Sequence, residues 1–113
     1  MDREHFYSIM NGEGTLDYEI YLKTKKLLAC QKEFHEFCNK DELQFQIVHQ
    51  IEELWMKLIG YSLLDLDEYL QQENTNRVLT LFRRAHIALK LMIDQLPLLE
   101  TMSPKEYQEI RAG

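Results

Sequence analysis

A phenyl ring and an imidazole lie one helical turn apart in the segment FQIVHQIEELWMK, residues 45–57. Phe45 and His49 are four positions apart, so on a helix they share one face. Together they could line a pocket for an aromatic ligand. Alternatively, His49 is a core histidine that is hydrogen-bonded to a neighbour. The spacing is compatible with both interpretations.

Two further pairs have spacings that could support binding. Tyr18 and Tyr21 share a helix face and could be core, interface or ligand-binding residues. Tyr107 and Arg111 are also one turn apart, near the end of the sequence. Arg111 could be an exposed cation at a helix C-terminus. It could equally be a guanidinium fork that binds a carboxylate.

The remaining composition argues against several functional classes. The four histidines and two cysteines show no HxxxH, HExxH or CxxC spacing, so no metal ligand set is predicted. A net charge of −6 argues against a nucleic-acid partner. No apolar run approaches the roughly eighteen residues of a membrane span, and residues 1–14 contain no signal-peptide core. We therefore expect a reduced, cytoplasmic protein without a membrane partner.

Helical periodicity and few breakers predict an all-α chain with four helices. The first is expected to begin after Thr15 and to extend through residues 16–34. The second is expected to run from near Asn39 to Tyr69 or Leu70, with Glu42 completing a capping box. Gly60 within it could mark a close helix approach or a slight bend.

The last two helices are predicted from their capping residues and from proline. The third should start near Asn76 and must end or kink near Pro97. The fourth should be capped by Ser103, with Pro104 at its first position and Glu106 closing a capping box. The short linker 71–76 predicts that the second and third helices are antiparallel neighbours. The fold expected is a long-helix bundle of about four helices, whose apolar faces make it part of a homo-oligomer.

Three segments resemble the haem-dependent tryptophan 2,3-dioxygenase family. DELQFQIVHQIEELWMKL, residues 41–58, is similar to the long active-site helix of that family. LDYEIYL, residues 16–22, and LETMSPKEYQEIR, residues 99–111, match two further family motifs in the same order. The resemblance covers nearly the whole chain. The chain is expected to comprise an N-terminal arm, residues 1–14, and a helical domain of this family, residues 15–113.

The resemblance implies a role for each chemically notable residue. His49 corresponds to the distal histidine, which lies over the haem but is not an iron ligand. Phe45 corresponds to an aromatic wall of the substrate pocket. Tyr107 and Arg111 correspond to the pair near the substrate carboxylate, with Arg111 as the ion-pair partner.

The same resemblance implies partners and a reaction. Tyr18, Tyr21 and Leu22 match positions that reach into the active site of a neighbouring subunit in a helical homotetramer. The implied reaction uses O2 and haem to open the indole ring of L-tryptophan, giving N-formylkynurenine. The family's proximal haem histidine comes from a later region, so we expect this chain to be the N-terminal portion of a longer enzyme.

Departures from the family pattern leave two alternatives open. Asn39 and Lys40 stand where the family has histidines, and Tyr61 and Ser62 replace a His-Glu pair. One alternative is therefore a related haem oxygenase or peroxygenase that acts on another aromatic compound. The other is a non-catalytic helical module for oligomerisation or ligand binding.

Overall fold

A computed structural model describes residues 2–11 and 17–113, and it confirms the all-α prediction. The described residues contain no β-strand. They form six α-helices and one short 3₁₀-helix at residues 34–36: α1 Arg3–Asn11, α2 Asp17–Leu22, α3 Thr24–Leu27, α4 Glu42–Gln71, α5 Thr75–Glu100 and α6 Pro104–Ala112. The chain divides into two compact units, Met1–Phe37 and Cys38–Gly113.

The first unit contains short helices instead of the continuous helix expected over residues 16–34. That expectation is wrong because Lys23 adopts a left-handed conformation, with φ of 54°, between α2 and α3. Such a conformation costs a residue with a Cβ about 1–2 kcal/mol, and nothing in the local sequence signals it. The predicted cap, Thr15, and the predicted boundary at residue 14 lie outside the described residues.

Aromatic contacts join the two ends of the first unit. The Tyr7 and Phe34 rings lie 5.1 Å apart between centroids, and Phe34 meets Phe37 edge-on at 5.9 Å. Tyr7 belongs to α1, which lies within the segment expected to be an arm. Contacts of this kind add about 0.5–1.5 kcal/mol per pair beyond the burial of apolar area.

The second unit is built on an antiparallel hairpin of α4 and α5, as predicted. The turn between them is a Schellman motif. Glu73, with φ of 58°, donates its N–H to the Leu70 carbonyl, and Asn74 donates its N–H to the Tyr69 carbonyl. The Asn74 side chain then accepts from the N–H of Arg77 and caps α5. One residue therefore ends the first helix and starts the second.

The hairpin buries a narrow apolar seam. Leu66 of α4 packs with Val78 and Leu81 of α5, and these side chains are 7%, 8% and 5% exposed. Each buried aliphatic side chain of this size contributes about 1.5–3 kcal/mol. Ala85 and Ala88 continue the buried side of α5.

Gly60 lies in the exposed part of α4. A Cβ built on Gly60 meets nothing within 4 Å, so the interpretation of this glycine as a close helix approach is wrong.

The C-terminal part of the unit agrees with the predictions made from Pro97 and Ser103. Pro97 lies inside α5, which ends three residues later at Glu100, so the helix ends near the proline. Proline removes one N–H from the helix hydrogen bonds and its ring crowds the carbonyl four residues earlier, which disfavours a longer helix. α6 begins as predicted, since Ser103 Oγ accepts from the Glu106 N–H at 3.2 Å and Glu106 Oε2 accepts from the Ser103 N–H at 3.3 Å. Across residues 2–11 and 17–113, no helix has the length and apolar character needed to cross a membrane.

Candidate functional site

The first turns of α4 present Phe45 and His49 as a stacked pair. Their ring centroids are 4.3 Å apart, with an interplanar angle of 36°. His49 Nδ1 lies 2.7 Å from the Phe45 carbonyl oxygen. A carbonyl oxygen only accepts, so Nδ1 carries the hydrogen, and in the neutral ring Nε2 has the free lone pair. His49 is exposed, so the interpretation of it as a core histidine is wrong.

α6 extends this pair into a cluster of three rings. The Tyr107 ring lies 6.0 Å from the Phe45 ring between centroids, at an angle of 54°. Tyr107 is 43% exposed, so the cluster borders solvent rather than filling a core. Arg111 follows one turn later, in the last turn of α6, and is also exposed. The structure thus brings Phe45, His49 and Tyr107 together, with Arg111 on the same helix as Tyr107.

The side chain of Asn39 connects α6 to the start of α4. Its Nδ2 donates to the Glu106 carbonyl at 3.2 Å and to Glu109 Oε2 at 3.3 Å. Its Oδ1 accepts from the N–H of Asp41, the residue just before α4, at 3.0 Å. The predicted capping box is wrong, because α4 begins at Glu42 with Asp41 as its N-cap.

A thiol lies beside this junction. Loss of hydration at Cys38 raises the pKa of its thiol, and the nearby carboxylates of Glu42 and Glu109 raise the pKa further. The Glu42 side chain also hydrogen-bonds the thiol. Glu42 itself is buried, with 4% of its surface exposed. Because the reactive form of cysteine is the thiolate, Cys38 acts here as a neutral donor rather than a nucleophile. Sequence reasoning missed this contact.

A second polar link joins the two long helices near the site. Gln44 Nε2 donates to the Leu98 carbonyl at 2.8 Å and to Thr101 Oγ1 at 3.2 Å. Glu52 lies one turn beyond His49 on α4, and its Oε1 accepts from Gln95 Nε2 of α5 at 2.9 Å. These bonds fix the C-terminal part of α5 against the part of α4 that carries Phe45 and His49.

The other predicted site residues lie in the first unit. Tyr18, Tyr21 and Leu22 are on α2, and their side chains are 72%, 85% and 41% exposed. Their role at a neighbouring subunit's site stays a prediction. Among the histidines, cysteines, aspartates and glutamates within the described ranges, no group of three is placed to bind a metal ion.

An open groove of about 390 Å³ lies between α4 and α5, and none of the predicted site residues lines it. Its walls are mainly apolar and include Trp55, Leu58 and Leu91. Two cations, Arg77 and Arg84, are also part of the lining. The sequence-based predictions did not include this groove.

Sequence comparison relates this chain to a family of known proteins. A family model described as tryptophan 2,3-dioxygenase matches residues 5–113. Curated tryptophan 2,3-dioxygenases from Xanthomonas campestris pv. campestris and Xanthomonas oryzae pv. oryzae are each 34% identical over 99 residues, which is 88% of this chain and 33% of the relative. The Aedes aegypti protein of the same name is 34% identical over 110 residues, or 90% of this chain and 28% of its own. The chain therefore spans about a third of the length of these relatives. No solved structure gives a significant match.

Proposed function

Because the chain belongs to the tryptophan 2,3-dioxygenase family, we propose that it supplies the substrate-binding side of a haem-dependent dioxygenase site. The reaction proposed is the opening of the indole ring of L-tryptophan by O2 to give N-formylkynurenine. The supporting observation is the contact of Phe45 with both His49 and Tyr107, which joins α4 to the helix that carries Arg111.

Arg111 is the proposed partner of the substrate carboxylate. A guanidinium presents parallel N–H donors that match the two oxygens of a carboxylate, and it stays charged at any physiological pH. Arg111 is exposed at the end of α6, where a ligand can reach it. With Arg111 one turn after Tyr107, the charged end of the substrate would lie next to an aromatic surface.

Phe45, Tyr107 and His49 are proposed to bind the indole. The two rings offer flat apolar surfaces that exclude water from one face of the substrate. Since His49 Nδ1 donates to the Phe45 carbonyl, its Nε2 is the nitrogen that can bond a ligand. In the neutral ring this nitrogen accepts, so it can accept the indole N–H and fix the orientation of the ring.

We propose that Phe45 and His49 would line the substrate side of a bound haem, with His49 assigned to the substrate rather than to iron. A largely apolar pocket suits that side, and the Phe45 ring would supply apolar surface there. When bound, haem supplies the oxygen chemistry, whereas the protein residues bind and orient the substrate.

We also propose that the protein is a homo-oligomer, and a tetramer by its resemblance to the family. Large apolar side chains remain exposed along both long helices, among them Leu64, Leu79 and Ile93 at 65%, 62% and 62%. Exposed apolar surface that forms patches marks association sites, and association with other subunits would remove these side chains from water. The exposed Tyr18 and Tyr21 on α2 fit a role at the site of a neighbouring subunit.

A second candidate is a related haem oxygenase that acts on a different aromatic compound. Asn39 departs from the family pattern, and its side chain bonds directly to the helix that carries Tyr107 and Arg111. A change at this junction could alter which substrate the pocket accepts. Product analysis with tryptophan, a tyrosine-like substrate and indole distinguishes the two candidates.

Spectroscopy of the intact protein with haem supplied tests the proposal. We expect a Soret band, a spectral shift on addition of L-tryptophan, and formation of N-formylkynurenine. His49→Ala should lower turnover more than it weakens tryptophan binding, whereas His86→Ala, at an exposed histidine of α5, should change neither. A protein without a Soret band or a tryptophan-induced shift would not be an oxygenase and would instead be a non-catalytic binding module.

A further inference from the structure

We propose that Asn39 is a positioning residue that sets the orientation of α6 on α4, and with it the place of Arg111 relative to the Phe45 ring. This inference rests on the proposed function, in which Arg111 binds the substrate carboxylate. Asn39 itself touches no substrate in this assignment. It acts through the backbone and side chains of α6.

The hydrogen bonds of one half-buried side chain support this role. The Asn39 amide donates to the Glu106 carbonyl and to the Glu109 carboxylate, while its oxygen accepts from the Asp41 N–H. The donors reach α6 and the acceptor is fixed to the start of α4. A bond to a carboxylate is charge-assisted and stronger than one between neutral groups.

The chemistry of these three contacts requires an amide. Aspartate has the same shape and can still accept from the Asp41 N–H, but it has no donor for α6. It would also bring a second carboxylate next to Glu109, and like charges at this distance repel. Serine is too short to serve both helices with one hydroxyl. Asparagine alone among short side chains combines two donors with an acceptor.

The contacts of α6 with α4 lie on different sides of α6. With 3.6 residues per turn, Tyr107 and Arg111 share one face, while Glu109 projects from another. Asn39 engages α6 through Glu109 and the Glu106 carbonyl, whereas Phe45 engages it through Tyr107. Two contacts on different faces prevent the helix from turning about its own axis. Loss of the Asn39 contact removes one of these two constraints on the face that carries Arg111.

The test is Asn39→Asp in the intact protein with haem supplied. The variant should fold, because the acceptor for the Asp41 N–H is kept and a carboxylate is favourable near a helix N-terminus. The KM for L-tryptophan should rise about tenfold with a much smaller change in kcat, the factor expected when one hydrogen bond to a charged group is lost. Binding of tryptamine, which lacks the carboxylate, should be unchanged.

A matched pair of variants controls the experiment. Asn74→Asp makes the same substitution at a helix cap that faces α5 instead of α6, and it should leave KM unchanged. In the double variant Asn39→Asp with Glu109→Gln, the new amide at position 109 can donate to the new carboxylate at position 39. The double variant should therefore recover much of the lost affinity for L-tryptophan. Hydrogen exchange of the α6 amides, residues 105–112, should be faster in Asn39→Asp and return towards the wild-type rate in the double variant.

Several outcomes would overturn the proposal. An unchanged KM in Asn39→Asp, or an equal loss of tryptamine binding, would show that Asn39 does not act through the carboxylate partner. Unchanged exchange in α6 would show that Asn39 does not hold the helix. If the wild-type protein binds no tryptophan, the proposed function fails, and hydrogen exchange still decides whether Asn39 orients α6.

Discussion

Replacing Arg111 with alanine should mainly weaken substrate binding. The side chain lies in the last turn of α6, one turn beyond the Tyr107 ring that meets Phe45 at 6.0 Å. If it binds the substrate carboxylate, the interaction is made equally in the ground state and the transition state. The expected signature is a higher KM for L-tryptophan with kcat nearly unchanged.

The magnitude follows from the exposure of Arg111. Hydrogen bonds to charged groups contribute about 1.5–3 kcal/mol, and solvent screening at this exposed position favours the lower end. A loss of about 1.5–2 kcal/mol corresponds to a rise in KM of about tenfold to thirtyfold. Arg111→Lys keeps the charge and loses the fork, so its KM should lie between the wild-type and alanine values.

Steady-state kinetics at fixed O2, with tryptophan varied, measures this effect. Arg83→Ala removes an exposed cation from α5 and serves as the matched control, with no expected change. The loss of a cation near the C-terminus of α6 costs that helix only about 0.3–1 kcal/mol, so circular dichroism should show an intact fold. An unchanged KM, or a fall in kcat alone, would refute the assignment of Arg111 to the carboxylate.

Three other predictions concern stability and reactivity. Leu81→Ala should lower the free energy of unfolding by about 2–4 kcal/mol because it empties the hairpin seam, whereas Arg83→Ala, at an exposed position of α5, should cost much less; urea denaturation compares them. Glu73→Gly should stabilise the protein by about 0.5–1 kcal/mol, since glycine adopts the left-handed conformation without strain; a lower melting temperature would contradict this. Both cysteines are exposed, yet alkylation of Cys38 should reach its half-maximal rate at a higher pH than alkylation of Cys30, because the raised pKa keeps the Cys38 thiol protonated. Coincident rate–pH curves would rule this out.

The raised pKa of Cys38 also predicts the direction of one pH effect on stability. The folded thiol retains its proton at a pH where the unfolded thiol has lost it. Its contribution to stability is therefore complete below the unfolded pKa and is lost as the pH rises through the folded pKa.

Local signals in the sequence were sufficient for some elements. Ser103, Pro104 and Glu106 specify the start of α6 within four residues, and the structure shows the bonds they predict. The long periodic stretch from residue 42 to residue 71 likewise predicts α4 with small errors at its ends. In both cases the decisive interactions lie within one or two helical turns.

The wrong predictions arise from conformations that the local sequence does not signal or from contacts between distant parts of the chain. Lys23 adopts a left-handed conformation, which lysine rarely favours. The helical spacing of apolar residues continues across Lys23, so the sequence does not reveal that the helix is interrupted there. Asn39 looks like an ordinary cap, and its bond to Glu109 depends on a contact between distant parts of the chain.

The dual role of Asn74 makes the spacing of the hairpin sensitive to single-residue changes. Its N–H completes the end of α4 and its side chain begins α5, so the turn has no spare residue to absorb a length change. Inserting one residue after Asn74 would rotate α5 by about 100° relative to its partner. The buried side of α5, which carries Ala85 and Ala88, would then face water. Larger side chains would lie between α4 and α5 and would keep the two helices further apart.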